Sequence, residues 1–519
     1  MAAFRRFHVM LILAAFAALT LGETAGAAEG EPAPLRIVTS FAVESLDPVD
    51  QGFWFPEFGA AETPMRVLPD GGVGPWLLES LDQADGTHWA LRLRPGMTFQ
   101  NGRPVDAEAL AATMSRQLEL SPSAQAELPG TGVEVTGDLE VTLTTPTPNA
   151  TVPHVLADEA VFPVYDVEAV EAAETVGEGY ERLAGEGIFT GPYAVTSLDE
   201  QELVLDRYEG YWGGMPPLPG VTVRFVEDAQ ARILAVQNGE ADLALYVPIE
   251  AKRALEGRSD ALFLTAPAGK ETVTMPFNVT RAPFDDAAVR RAFSLGIDYR
   301  SLATDVMDGA YDVAESMYPT VYPFAVANQK TDPARARSLL DEAGWRPGDD
   351  GVRAKDGDRL EVVLLTYPQQ PDLQPLAIAV QAQLAEIGFD VEIRQVEDIM
   401  ATQQDPAAWN AAMIFSGTTD FTGSPESYLR RYLITGGDRN DGGVTNPELD
   451  ELSARLVSTF ETPARHELLA RVQEIVVEEE AYLAVAALKR FPVVASPAYR
   501  DYVPSSSLNH VTFETRPAS

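Results

Sequence analysis

Residues 191–225 read GPYAVTSLDEQELVLDRYEGYWGGMPPLPGVTVRF. A Gly-Pro turn at Gly191 leads into one strand, residues 203–205 form another, and residues 221–225 form a third. Between the last two lies a Tyr-Trp-Gly-Gly turn that begins at Tyr211. The stretch predicts short strands joined by tight turns in the middle of the chain.

The length of the chain predicts more than one lobe. Its 519 residues are too many for a single hydrophobic core, which stops growing at about 250–300 residues. The hydrophobic share of 45% and the charged share of 22% are typical of a globular protein. The absence of cysteine excludes disulfides, thiolate metal sites, cysteine nucleophiles and a lipid-modified N-terminal cysteine. We therefore expect two or three lobes.

The N-terminus has the pattern of an export signal. Arg5 and Arg6 form a basic segment, residues 9–22 are apolar, and Ala25-Gly26-Ala27 is a small-residue cleavage site. The apolar run is shorter than the roughly 20 residues that span a bilayer. We expect a signal peptide at residues 1–27, cleavage near Ala27, and a periplasmic location.

The charge of the chain limits its partners. The formal net charge is −40, and phosphate contacts need clustered basic residues, so nucleic-acid binding is disfavoured. Two interpretations of the acidity remain open. It is either a solvated surface suited to a saline environment or a field that steers a cationic ligand.

Local patterns predict several helices and strands. Residues 88–94 alternate between polar and apolar as a half-buried strand does, and Asp106 can cap the helix that follows. Residues 332–344 have an Asp cap, Pro at the first helical position and Gly past the end. A strand at residues 360–366, a helix and a strand at residues 389–393 predict a β-α-β unit.

Several motifs together resemble one known family. Residues 45–48 form a Ser-Leu-Asp-Pro turn, residues 88–107 read HWALRLRPGMTFQNGRPVDA, and residues 277–290 read FNVTRAPFDDAAVR. With the Tyr-Trp-Gly-Gly turn, these segments resemble the extracytoplasmic solute-binding proteins of peptide- and nickel-type ABC importers (extracellular solute-binding protein family 5). Asn101 stands where that family usually has Asp. The resemblance covers residues 35–500.

The resemblance implies the fold and its division. The fold is α/β, bilobal and of the periplasmic-binding-protein type (type II, in the large three-domain form), with mixed sheets and a hinge. The implied parts are lobe I at residues 28–56, 185–268 and 484–519, an intermediate domain at residues 57–184, and lobe II at residues 269–483. The crossings near residues 268 and 483 would form the hinge, and ligand would close the lobes.

The sequence contains no motif typical of an enzyme. The histidines beyond the signal are His88, His154, His466 and His510, without metal-ligand spacing. The chain has no metalloprotease, nucleophile-elbow, P-loop or dinucleotide-binding signature. We expect no enzyme activity, no catalytic residues, no metal site and no cofactor. An exported hydrolase with a site assembled in space remains the alternative from a different class.

Two segments are candidates for ligand binding. In the first, Phe53, Trp54 and Phe55 follow the turn that the resemblance brings to the cleft. Three adjacent aromatics can stack on a ligand, and Trp54 also offers an indole N–H. Because neighbouring side chains of an extended loop alternate, about half of them should instead fill the core of the lobe. We select Phe53 and Trp54 as ligand contacts.

The second candidate is the polar loop within residues 413–428. In peptide-binding relatives the corresponding loop carries an aspartate that pairs with the α-ammonium group of the peptide, which implies this role for Asp420. A loop-capping role is the alternative. A Trp and a second Asp common in those relatives are replaced here by threonine and serine. Thr419, Phe421 and Tyr428 complete this candidate site.

A nickel-chelate site has less support from the sequence. In the relatives that bind such chelates, arginines of the intermediate domain and a histidine after the polar loop contribute. Residues 159–165 contain no arginine, and residues 434–438 contain no histidine. Arg430 and Arg431 can still meet an anionic ligand, and we include Arg431 in the site. Their alternative role is a basic helix face paired with Glu426.

The resemblance therefore implies the substrate-binding component of an ABC importer. We expect it to capture a small solute, with oligopeptide as the leading class, and to deliver it to an inner-membrane ABC permease. Binding of a nickel or other metal chelate is the alternative within the family. We also expect a monomer.

Overall fold

The computed structural model describes residues 32–68, 72–175, 180–370, 372–419, 422–506 and 509–519. The signal peptide predicted at residues 1–27 lies outside these residues.

The strands, numbered in chain order, are β1 (Leu35–Thr39), β2 (Met65–Val67), β3 (Val73–Pro75), β4 (Leu78–Gln83), β5 (His88–Leu93), β6 (Gly132–Gly137), β7 (Glu140–Thr144), β8 (Tyr193–Leu198), β9 (Glu202–Arg207), β10 (Gly220–Phe225), β11 (Leu243–Ala244), β12 (Leu262–Thr265), β13 (Glu271–Pro276), β14 (Tyr311–Asp312), β15 (Arg346–Pro347), β16 (Arg353–Lys355), β17 (Asp358–Arg359), β18 (Glu361–Thr366), β19 (Asp390–Gln395), β20 (Ala411–Ala412), β21 (Ile414–Phe415), β22 (Leu483–Lys489) and β23 (Pro492–Ala495).

The α-helices are α1 (Trp54–Glu57), α2 (Ala107–Leu120), α3 (Pro122–Glu127), α4 (Val152–Val155), α5 (Val167–Thr175), α6 (Ala229–Gln237), α7 (Ala251–Leu255), α8 (Ala287–Leu295), α9 (Tyr299–Ser301), α10 (Pro333–Glu342), α11 (Leu373–Ala385), α12 (Ile399–Gln403), α13 (Pro425–Tyr428), α14 (Pro447–Ser458) and α15 (Thr462–Gln473). π-Helical turns at Leu302–Val306, Leu429–Leu433 and Glu474–Glu479 continue α9, α13 and α15. Short 3₁₀ helices lie at Tyr180–Leu183 and Pro497–Tyr499.

Lobe I is built on a mixed sheet with the strand order β12-β23-β11-β1-β10-β9-β8. β1 runs parallel to β10 and β11, whereas β8, β9 and β10 are antiparallel neighbours. The strands predicted around the Tyr-Trp-Gly-Gly turn are confirmed. Leu35 and Ile37 of β1 pack with Leu203 and Leu205 of β9 in the core of this lobe, and all four are fully buried.

The intermediate domain is an antiparallel sheet, β4-β5-β7-β6, covered by α2. Asp106 caps α2 by accepting the backbone N–H of Ala109 at 3.0 Å, as predicted. Leu110 and Met114 of α2 are buried against Leu91 and the rest of the sheet. This packing gives the domain a core of its own.

Lobe II contains the sheets β14-β22-β13-β21 and β19-β18-β20. β18 and β19 are parallel and are joined through α11, which confirms the predicted β-α-β unit. Asp332 caps α10 by accepting the N–H of Arg335 at 2.9 Å, and Pro333 is the first helical residue. Gly344, two residues after the end of α10, has a φ of 91°, a conformation that glycine adopts without strain.

The chain crosses between the lobes twice. The first crossing joins β12 of lobe I to β13 of lobe II and includes residue 268. The second lies between Lys489 and Pro492, later than the expected position at residue 483, because β22 pairs with β13 along its length. Asp312 contacts both crossings, since its carboxylate accepts the N–H of Gly269 and Nε–H of Arg490, each at 2.9 Å.

The border between lobe I and the intermediate domain also differs from the expected residues 57–184. Phe58 packs in the core of lobe I, and so do Val170 and Ala173 of α5. The core of the intermediate domain extends from Met65 to Val164. The apolar face of α5 accounts for the difference, since it packs onto lobe I.

A buried carboxylate holds the Tyr-Trp-Gly-Gly turn. Tyr211 donates its hydroxyl hydrogen to Glu62 Oε1 at 2.6 Å, and Trp212 Nε1 donates to Oε2 at 2.9 Å. Trp76 Nε1 donates to Oε1 at 2.9 Å. Burial raises the pKa of Glu62 to about 7, because desolvation outweighs these hydrogen bonds. The motif therefore ties lobe I to the start of the intermediate domain.

Within the described part of the chain, no helix has both the length and the apolar character needed to cross a membrane.

Candidate ligand-binding site

A cavity of about 960 Å³ lies between the lobes and the intermediate domain. All three parts of the molecule contribute to its wall, with α1 from lobe I, α3 from the intermediate domain and the segment after β21 from lobe II. Its volume is at the upper end of the range of about 300–1,000 Å³ found for small-molecule sites. A cleft between lobes joined by two crossings is the place where hinge closure encloses a ligand.

The residues predicted from the sequence mostly meet at this cavity. Its wall includes the predicted residues Phe53, Trp54, Thr419, Tyr428 and Arg431. The remaining two predicted contacts, Asp420 and Phe421, lie outside the described residues. Contact between any of these side chains and a ligand remains a prediction.

Lobe I contributes an aromatic wall. The rings of Phe53 and Trp54 lie edge to face with centroids 5.2 Å apart, and Phe41 lies 5.6 Å from Trp54. The prediction of an extended segment here is wrong, because Trp54 begins the short helix α1. The helix turns Phe55 into the core, where it is fully buried, and leaves Phe53 and Trp54 half-buried on the cavity.

Tyr246 completes this wall and was not selected from the sequence. Its ring stands edge to face on Phe41 with centroids 4.8 Å apart. Its φ of 52° is a left-handed conformation that is uncommon for a bulky residue. The buried guanidinium of Arg232 supports this backbone, donating to the carbonyl oxygen of Leu245 at 3.1 Å and to that of Tyr246 at 2.6 Å. Uncommon backbone conformations of this kind cluster at active sites and ligand-binding sites.

The wall from lobe II follows β21. Thr419 is buried and directs its hydroxyl to the hydroxyl of Tyr322 at 3.5 Å. Tyr428 stacks on Tyr432 with centroids 4.4 Å apart and is only 2% exposed, so it supports the wall more than it faces the cavity. Burial raises the pKa of the Tyr428 hydroxyl above its usual value, and this group stays neutral.

The basic side chains of the cavity are partly neutralised by acidic ones. Arg430 Nη1 of lobe II lies 3.0 Å from Glu127 Oε2 of the intermediate domain. Arg431 Nη2 lies 3.2 Å from Asp438 Oδ2. The alternative role of these arginines, pairing with Glu426, is wrong, because Glu426 is buried and forms its ion pair with Arg465.

Asp158 is an acidic group on the cavity that the sequence did not single out. It lies half-buried in the loop after α4, where its Oδ1 accepts the N–H of Ala160 at 2.9 Å. Among the described residues, no basic side chain forms an ion pair with it. Burial raises its pKa to about 6, and the nearby charge of Glu127 contributes. A cationic group of a ligand would compensate this carboxylate.

The described residues offer no ready metal site. They contain no group of three or more His, Asp or Glu side chains arranged to hold a metal ion. Among the described residues, no histidine lines the cavity. His510 is buried in lobe I beside Phe491. Burial lowers the pKa of His510 to about 3, so its ring is neutral.

Comparisons with known proteins identify the family. Residues 72–440 match the sequence profile of a protein family, the bacterial extracellular solute-binding proteins, family 5 (middle region). The chain belongs to this family. Family 5 membership confirms the resemblance found in the motifs, and the mixed α/β fold with two lobes agrees with it.

Individual family 5 relatives differ in what they bind. A nickel-binding periplasmic protein of Escherichia coli (strain K12) is 26% identical over 500 residues, which cover 90% of this chain and 91% of that protein. The glutathione-binding protein GsiB of Pectobacterium atrosepticum is 24% identical over 428 residues, 79% of each chain. NikA from Brucella suis, crystallised with Fe(III)-EDTA, matches with a TM-score of 0.82 at 23% identity, over 93% of this chain and 100% of that one.

These comparisons leave the substrate open between peptide and nickel. The family's members are solute-binding transport proteins that bind small ligands and work with an ABC permease. The residues missed from the sequence, such as Tyr246 and Asp158, carried no motif of their own. Tyr246 stands two residues after β11 of the lobe I sheet, near the end of a strand where ligand sites commonly lie, but this position is known only from the structure.

Proposed function

We propose that this chain is the periplasmic substrate-binding component of an ABC importer for short peptides or related amine-bearing solutes. The lobes close around the ligand, and the closed form delivers it to an inner-membrane permease. Export by the predicted signal peptide and a monomeric state are parts of this proposal. It includes no chemical step.

The observation that carries the peptide proposal is the unpaired carboxylate of Asp158 on an aromatic cavity. An α-ammonium group is a compact cation that such a carboxylate binds by a charge-assisted hydrogen bond. Asp420, predicted for the same role, is the next residue in the sequence after Thr419, which lines the cavity.

The aromatic wall supports the same class of ligand. Trp54 and Tyr246 offer large faces to the side chains or peptide planes of a ligand, with little loss of conformational entropy. Stacking of this kind tolerates different side chains, as a peptide carrier requires. The cavity volume of about 960 Å³ suits a short peptide better than a single ion.

A metal chelate is the second candidate. Its support is the nickel-binding relative together with Arg430 and Arg431 on the cavity, which can pair with carboxylates of a chelator. Because no histidine among the described residues lines the cavity, nickel would enter with its ligands already bound.

Calorimetric titration of the mature protein tests both candidates. The probes are trialanine, N-acetyl-trialanine, NiCl₂ alone and NiCl₂ with L-histidine. We expect trialanine to bind, the acetylated form to bind far more weakly, and Asp158→Asn and Asp420→Asn to reduce the difference. Binding only with nickel and histidine would replace the peptide proposal by the chelate one. Release of free alanine during the titration would indicate a hydrolase.

A further inference from the structure

Lys489 occupies a special place at the hinge. It is the last residue of β22, and the chain crosses to lobe I immediately after it, before β23 begins at Pro492. On β13 its direct cross-strand neighbour is Glu271, at the end of the other crossing. Side chains that face each other in this way project from the same face of the sheet. Here both line the cavity between the lobes.

The ammonium group of Lys489 is poorly satisfied. The residue is 8% exposed, and its Nζ lies 4.6 Å from the centroid of the Phe415 ring. Its distance to Glu271 Oε2 is 3.8 Å, longer than the roughly 2.7–2.9 Å of a charge-assisted hydrogen bond. Among the described residues, no acceptor forms a hydrogen bond with this Nζ. A buried ammonium group has three donors, and leaving them unused is costly.

We infer that Lys489 binds an anionic group of the ligand, in the first place the terminal carboxylate of an amino acid or peptide. This inference rests on the proposed function. It adds to the ammonium site at Asp158 a second site, which binds the negatively charged end of the ligand. The ammonium group of the ligand would face Asp158 from the intermediate domain, while its carboxylate would face Lys489 at the hinge. A zwitterionic ligand would then contact the strands about which the lobes move.

The position also distinguishes Lys489 from the arginines of the cavity. Arg430 and Arg431 each have a carboxylate partner at hydrogen-bonding distance or close to it. Glu271 competes only weakly with a ligand carboxylate for Lys489, because the Glu271 carboxylate would have to move to form a hydrogen bond with Nζ. A carboxylate brought by the ligand needs no such movement, since the cavity is open to Lys489.

The test compares ligands with and without the carboxylate. Affinities of the mature protein are measured by calorimetry for trialanine and its C-terminal amide, and for NiCl₂ with L-histidine or with L-histidinamide. We expect Lys489→Gln to weaken binding of the carboxylate forms about ten-fold or more, and to change binding of the amides less than about two-fold. Glu271→Gln removes the competing carboxylate, so we expect it to raise the preference for the carboxylate forms.

Arg490→Gln serves as the matched control at the hinge, because Arg490 contacts Asp312 and does not line the cavity. It should leave the ratio of carboxylate to amide affinity unchanged. An unchanged ratio in Lys489→Gln would overturn the inference and leave the proposed function intact. If Lys489→Gln does not fold, an unchanged ratio in Glu271→Gln overturns it. Failure of every probe to bind the wild-type protein overturns the proposed function, and the inference with it.

Discussion

Arg430 of lobe II and Glu127 of the intermediate domain form an ion pair across the cavity, with Nη1 and Oε2 3.0 Å apart. A second hydrogen bond runs from Arg430 Nη2 to the carbonyl oxygen of Ala126 at 3.3 Å. Both side chains are about one-quarter exposed, at 27% and 23%. The pair therefore links lobe II to the intermediate domain at the wall of the cavity.

We predict that Arg430→Gln shifts the ligand-free protein towards open forms. A partly exposed ion pair contributes up to about 1 kcal/mol, so ligand affinity should fall by about two- to five-fold. The measurements are the radius of gyration by small-angle X-ray scattering, with and without ligand, and calorimetric affinity. Arg471→Gln, which breaks an ion-pair network within lobe II, is the control. An unchanged radius of gyration in Arg430→Gln would contradict the role in closure.

Truncation of Trp54 and truncation of Phe55, which are neighbours in α1, should affect different properties of the protein. Trp54→Ala removes half-buried surface on the cavity, so we expect a loss of ligand affinity of about ten-fold or more with little change in melting temperature. Phe55→Ala empties a fully buried position and should destabilise the protein by about 3–5 kcal/mol, with a smaller effect on affinity. Thermal unfolding and calorimetry of both variants check this. A large stability loss in Trp54→Ala would assign that ring to the core.

Ligand binding should depend on pH through Asp158. The carboxylate must be ionised to bind an ammonium group, and its pKa is raised to about 6 by burial. Affinity for an amine-bearing ligand should therefore fall as the pH decreases from 8 through about 6. In Asp158→Asn the affinity should be lower at pH 8 and should vary less with pH. Titrations with trialanine at intervals between pH 5 and 8 measure both profiles. Parallel profiles would exclude Asp158 from the ammonium site.

Glu62 should make the protein more stable in mild acid. Its pKa in the folded protein is about 7, above the usual value of 4.5, so folding favours the protonated form. The corresponding stabilisation is complete below pH 4.5 and is lost as the pH rises through about 7. Its size is at most about 3 kcal/mol.

The check is the pH dependence of the free energy of unfolding in Glu62→Gln. We expect this variant to be less stable overall, because the donors of Trp76, Tyr211 and Trp212 lose a carboxylate, yet to lose less stability than the wild type between pH 5 and 8. Glu79→Gln, at an exposed position, is the control and should follow the wild-type profile. Identical slopes in Glu62→Gln and wild type would contradict the raised pKa.

Much of the local structure could be predicted because its causes lie within a few residues. Asp106 and Asp332 each accept a backbone N–H three residues ahead, so the starts of α2 and α10 are readable from the sequence. The parallel pair β18 and β19 followed from one helix between two strands. The candidate site was only partly predictable, since Asp158 and Tyr246 have no local signature.

The sequence by itself determined the family, the starts of α2 and α10, and the strands around the Tyr-Trp-Gly-Gly turn. Each of these depends on residues close together in the chain. Only the tertiary structure decided which side chains meet. It assigned Phe55 to the core and Trp54 to the cavity, and placed the second crossing after Lys489. It also joined Glu62 to a turn some 150 residues away. Such contacts are set by the packing of segments that are distant in the chain. They could not be predicted, because neither segment alone contains a pattern that reveals its partner.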